Sequence, residues 1–130
     1  MDDFRFDDGT QSVSVRMEDG PPLVVDDDRY HGAEIVVESD FVSGRVRLDV
    51  SLDDPDDWGR CLDALASGEG VEWPPGGRSA WLDIVPDDPL EVTVHDDPST
   101  QVAVRVPIDV AEDWPAENRR RFERVRRALG

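Results

Sequence analysis

Lysine is missing from this 130-residue chain, and all fourteen basic residues are arginine. A P-loop lysine, a Schiff-base lysine and a lysine general base are therefore excluded, together with the enzyme classes that need them. Cysteine is nearly missing as well: Cys61 stands alone, so neither an intramolecular disulfide nor a thiolate zinc cluster can form. No stretch approaches the ~18 apolar residues of a membrane span, which argues against a membrane role. The amino-terminal MDDFRFDD is acidic where a secretory leader needs a basic start and an apolar run. A cytoplasmic location is the resulting expectation. Histidine occurs only at His31 and His95, and there is no G-x-S-x-G nucleophile elbow.

What the chain has in excess is negative charge. It carries 31 acidic residues and a net charge of -17, yet 38% of it is hydrophobic, which places it among globular rather than disordered chains. The charge is uneven: residues 1–118 hold eight arginines against 30 carboxylates, while residues 119–130 hold six arginines against Glu123. Counterion release from nucleic acid is closed to most of such a surface, and phosphate binding would fall to the last segment alone. Nucleic acid is therefore not an expected partner.

Hydrophobic periodicity predicts the elements. FRF and SVSVRM flank DDGT as a hairpin, and Gly20 to Gly32 reads as a loop with a short extended piece at Leu23 to Val25. AEIVVES and FVSGRVRLDVSL alternate as a long antiparallel pair, with Gly44 suggesting a bulge. Trp58, Cys61, Leu62 and Leu65 then fall at helical spacing, so a helix over about 55–67 ends at Gly68. VEW, AWLDIV, LEVTVH and QVAVRVPI follow as strands of a meander. A final helix over about 114–128 starts at Trp114 and Pro115. The sum is a single α+β domain over residues 1–130, with an antiparallel sheet of about six or seven strands and two helices.

Each conspicuous motif has a structural account beside the chemical one. In SLDDPDDWGRCLDAL, Asp53, Asp54, Asp56 and Asp57 suggest cation ligands, but an EF-hand register from Asp54 puts Trp58 at position 5 and Leu65 at position 12. A helix start explains the same residues: Asp54 as N-cap, Pro55 in the first turn, and Asp56 and Asp57 favoured by the free N–H groups and the helix dipole. His95 and Asp96 look like a base beside its acid, yet strand neighbours point to opposite faces. Cys61 sits on the apolar stripe of its helix as a small core residue. No catalytic residue, metal ligand or cofactor follows from these motifs, and the chain reads as a non-enzyme. Trp58 and Trp114 read as core, whereas Trp73, beside PPGG, suits an exposed anchor for a partner. The basic RRRFERVRR is expected to offset the acidic body or to face the helix C-terminus.

The acidity itself remains. Asp26, Asp27, Asp28, Asp53, Asp54, Asp56, Asp57, Asp87, Asp88, Asp96 and Asp97 fall almost wholly in predicted loops, a surface that steers basic partners and rejects acidic ones. Its plain alternative is a solubilising coat.

AEIVVESDFVSGRVRLDVSLDDPDDWGRCLDALASGEGVEW, with VAVRVP and the Trp-containing final helix, resembles a group of small uncharacterised actinobacterial proteins over roughly Ala33 to Leu129. More distantly, the order of strand pair, helix, sheet and terminal helix resembles immunity proteins of the WapI type. The farther resemblance implies toxin neutralisation by direct binding, and neither transfers a catalytic residue. Together these readings make the expected function a protein-binding module that docks an acidic surface, with Trp73 as anchor, on a basic partner such as a toxin. The alternatives are a divalent-metal enzyme built on the aspartate clusters and a structural domain with a solubilising surface.

Overall fold

A computed structural model describes residues 2–18, 23–51, 54–74, 80–96 and 100–129. Among these residues nine strands and two helices run in the order β1 (Asp2–Asp7), β2 (Ser12–Met17), β3 (Leu23–Val25), β4 (Asp28–Glu38), β5 (Ser43–Ser51), α1 (Asp54–Ala66), β6 (Val71–Trp73), β7 (Ala80–Val85), β8 (Leu90–Asp96), β9 (Val102–Ile108) and α2 (Trp114–Leu129). The fold is α+β and wholly antiparallel, but the strands form two sheets of five and four rather than one of six or seven. The physical reason is alternation: each sheet carries one apolar face, and two such faces are satisfied by packing on one another.

The first sheet is built around β4, whose eleven residues outrun any neighbour. One edge of β4 takes β2 along Ala33–Glu38 and β3 along Asp28–Tyr30, and the other takes β5 along its full length. β1 completes the sheet beside β2. The stretch expected as a loop from Gly20 to Gly32 therefore contains a hairpin. Asp26 and Asp27 supply its turn with φ of 51° and 70°, the type I′ geometry that Asp accepts more readily than most residues. Gly44 pairs with Val37 in unbroken register, so the expected bulge is absent there. The second sheet is the meander β6-β7-β8-β9.

Phe4, Phe6, Val13, Val15, Ile35, Leu48 and Val50 of the first sheet meet Trp73, Leu82, Ile84, Val92 and Ile108 of the second in one buried cluster. The helices close this cluster on one side. α1 contributes Trp58, Leu62 and Leu65, and α2 contributes Phe122 and Val125. Phe4 stacks on Trp58 at 3.8 Å between ring centroids, with Trp73 at 5.5 Å from Phe4 and 5.8 Å from Trp58. Aromatic pairs of this kind add about 0.5–1.5 kcal/mol each beyond their buried area. The helices approach closely at Gly59, where a Cβ would lie 3.0 Å from Phe122 Cζ.

α1 begins at Asp54 and ends one residue short of the expected range. Its end is a Schellman motif: Gly68 has φ of 86°, Gly68 N–H donates to Leu65 O and Glu69 N–H to Ala64 O. The helices also protect sheet edges. Arg5 N–H, on the outer edge of β1, donates to Asn118 Oδ1 of α2 at 2.8 Å, and Cys61 Sγ of α1 lies 3.8 Å from Glu72 O on the edge of β6. Asn118 is buried and also donates from Nδ2 to Trp114 O. No helix among the described residues is long and apolar enough to cross a membrane.

Candidate functional site: an acidic surface

The aspartates singled out in the sequence do not share one face. Asp26 and Asp27 form the exposed tip of the β3–β4 hairpin and Asp28 opens β4 beside them. Asp54, Asp56 and Asp57 begin α1, which follows β5; since Ser51 pairs with Tyr30, this helix start and the hairpin lie at the same end of the first sheet. Asp87 and Asp88 lie exposed in the β7–β8 loop. Asp96 ends β8 and lies at the opposite end of the second sheet, because successive hairpins of a meander alternate ends. Asp53 and Asp97 fall outside the described residues. Trp73 is a correction: its indole is fully buried among Phe4 and Trp58, since strand alternation turns it inward opposite Leu82, and it offers no surface anchor.

Ion pairing sorts the acids further. Asp56 accepts Arg126 of α2 at 3.0 Å, Asp63 pairs with Arg119 of α2, and Asp57 with Arg60. Glu117 takes Arg120 and Arg121, each at 3.5 Å. Four of the six arginines at the basic end thus pair with the acidic helix beside it or with Glu117. Asp96 serves its own turn, accepting Thr100 Oγ1–H at 2.9 Å. Asp7 and Asp8 do the same in the β1–β2 turn. A hydrogen bond from Gly9 N–H, helped by the Arg5 guanidinium, holds the Asp7 carboxyl below the usual range; bonds from Gln11, Thr10 and Asp109 N–H groups do so for Asp8.

Asp26, Asp27, Asp28, Asp87 and Asp88 stand apart, because no ion pair reaches them among the described residues. On the hairpin the aspartates also have apolar company, Leu23 at 62% and Val24 at 59% exposure. Leu23 and Val24 face opposite sides of the strand, so the hairpin shows an exposed aliphatic side chain on each face beneath three carboxylates, with the exposed Arg29 opposite Val24; apolar area and a net negative charge that selects the partner stand together there.

One arrangement escaped the motif reading. On the outer face of the second sheet, His95 Nε2 lies 2.8 Å from Asp83 Oδ2, and the His95 ring stacks on Trp81 at 3.7 Å and 7°. The hairpin register pairs Trp81 directly with His95, and alternation puts Asp83 on the same face. Folding AWLDIV and LEVTVH symmetrically about PDDP would place Trp81 opposite Val94; the observed register, with Val85 opposite Glu91, is offset by one residue, and that offset, not readable from the turn, brings Trp81 to His95. Cys61 is no nucleophile at neutral pH, because burial pushes its thiol up to about 11. Among the described residues no three His, Cys, Asp or Glu side chains converge as a cation site would need.

The chain belongs to a family of unknown function, DUF5959, whose model matches residues 1–130. No curated protein matches the sequence. Among solved structures the chain is similar to WHY3 from Arabidopsis thaliana, with a TM-score of 0.52 at 11% identity over 96% of this chain and 85% of that one. It is also similar to the plant transcriptional regulator PBF-2, with a TM-score of 0.53 at 12% identity over 97% of this chain and 80% of that one. At such identities the likeness is one of fold.

Proposed function

We propose that the chain is a non-enzymatic, cytoplasmic binding module that docks an acidic surface, centred on the β3–β4 hairpin, on a basic protein partner. The mode would be that of a bacterial immunity or antitoxin protein. The observation that carries this reading is the partition of charge: arginines pair with the acids of α1, while among the described residues no ion pair reaches Asp26, Asp27 and Asp28 beside exposed Leu23 and Val24. Such a patch accelerates encounter with a basic protein and penalises an acidic one. The distant resemblance to WapI-type immunity proteins supports a toxin as that partner, whereas the nearer one, of AEIVVESDFVSGR to actinobacterial proteins, implies no activity. A nuclease toxin must be basic where it grips phosphate, and an acidic protein competes for the same surface. The task of a plant transcriptional regulator is not carried over, because a net charge of -17 repels a phosphate backbone.

The test uses a triple variant that keeps the turn. Asp26→Asn with Asp27→Gly places Asn-Gly, the favoured type I′ pair, at the tip, and Asp28→Asn removes the third charge. A partner recovered from native lysate at low salt should be lost above about 0.5 M salt, where the Debye length is only several Å. The triple variant should lose it at low salt with its unfolding midpoint unchanged. Recovery of no specific partner at any salt, or equal recovery by the variant, contradicts the reading.

A further inference from the structure

The helices cover the outer edges of β1 and β6, and among the described residues nothing pairs with the outer edges of β5 and β9. Between these two edges lies a groove of about 160 Å3. Its lining is mostly aliphatic, from Val37 and Val46 of the first sheet to Val94, Val102 and Val104 of the second, with Arg45, Asp96 and Thr100 among it. Gly44 creates it. On β5 the core-facing set is Gly44, Val46, Leu48 and Val50, and a Cβ at position 44 would meet nothing within 4 Å. Val102, at the mouth, is 55% exposed.

The β9 edge is also open to hydrogen bonding. Pro107 turns its carbonyl outward, where Gln11 Nε2 donates to it. Because a strand alternates, Arg105 and Ala103 direct their N–H and C=O to the same free edge, while Val104 and Val106 face β8. A row of backbone groups beside an aliphatic groove is the arrangement that accepts an added strand. Charge selects among occupants. Glu38 and Asp40 flank the β4–β5 end of the groove without ion pairs among the described residues, Asp96 lines its other wall, and Arg45 is tied to Glu34 at 3.6 Å. A second copy, itself at -17, is repelled.

We infer that this seam docks an extended segment of a basic partner, which adds to β9 as a further strand and lays alternate aliphatic side chains into the groove over Gly44. The inference rests on the reading above only for the partner's charge. The probe is the acetylated, amidated peptide KVKVKVK, titrated at low salt into the full chain with amide shifts followed by NMR. Saturable shifts should centre on Ser43 to Val46 and on Ala103 and Arg105. Gly44→Val fills the groove and Ala103→Pro removes an outward N–H, so each should weaken binding about tenfold or more. Gly44→Val should hold or raise the unfolding midpoint, since a β-branched residue suits a strand better than glycine. KSKSKSK should bind at least about tenfold more weakly for want of apolar area.

Unchanged affinity in Gly44→Val overturns the groove. Shifts confined to Leu23–Tyr30 overturn the groove alone and leave the acidic hairpin as the docking site. Equal binding of EVEVEVE overturns the partner's charge, here and in the reading above. A concentration-dependent dimer that buries Ala103 and Arg105 replaces the partner segment with a second copy, and so overturns the inference.

Discussion

On the helical side of the molecule, carboxylates and guanidinium groups neutralise one another: Asp56 meets Arg126, Asp63 meets Arg119, and Glu117 holds Arg120 and Arg121. On the strand side, Asp26, Asp27 and Asp28 ride a hairpin whose Leu23 and Val24 are exposed, and among the described residues no strand pairs with the outer edges of β5 and β9. The same chemical group does different work in the two places. Beside α2 an aspartate helps to seat one helix on another, and at the hairpin tip it is exposed with no ion pair among the described residues. Net charge alone would have assigned both to one docking coat.

Substitutions can sharpen this contrast, and the largest effects belong to the helical side. Trp58→Ala or Phe4→Ala removes a stacked ring from the fully buried cluster and should cost about 3–5 kcal/mol in chemical denaturation. Asn118→Ala strands the Arg5 N–H on the edge of β1 and should cost roughly 1–3 kcal/mol, and Asn118→Asp should not recover it, because the buried carboxylate oxygen that replaces Nδ2 would face the Trp114 carbonyl. Arg126→Ala should cost no more than about 1 kcal/mol, since its pair with Asp56 is largely exposed. A larger loss there would make the helix pairs a structural network rather than surface neutralisation.

The smallest effect is on pH. The folded-state pKa values of Asp7 and Asp8 are depressed, so their contribution is present above the unfolded carboxyl value near 3.8 and is lost as pH falls through the folded values. Acid unfolding of Asp8→Asn should therefore be less steep below that pH, a shift readable by circular dichroism. A wild-type midpoint that stays constant through the same range would remove these carboxylates from the account.

Much of the fold was legible in the sequence, the contrast itself was not, and what escaped was non-local. Helix limits were readable because Pro115, Gly68 and the Trp58–Leu65 spacing act within a turn or two. The alternation of AWLDIV and QVAVRVPI named the strands. Splitting the strands into two sheets was not readable, because alternation tells which side of a strand is buried but not against what. Trp73 misled for the same reason: its neighbours PPGG describe a turn, while its burial is decided by Phe4 and Trp58 from distant segments. Asp26 and Asp27 belonged to a stretch that read as loop, although two successive residues that tolerate positive φ were themselves a hairpin signal. The fate of the arginines required the helices to be placed side by side.

The most direct measurement compares two charge-removing variants in one capture experiment from native lysate at low salt. One is Asp26→Asn/Asp27→Gly/Asp28→Asn at the hairpin, and the other is Asp56→Asn/Asp57→Asn/Asp63→Asn on α1; each removes three charges. The account predicts that the hairpin variant loses the basic partner while the α1 variant retains it near the wild-type level. Equal loss in both would mean that only net charge matters, and would contradict the claim that the hairpin is the docking surface.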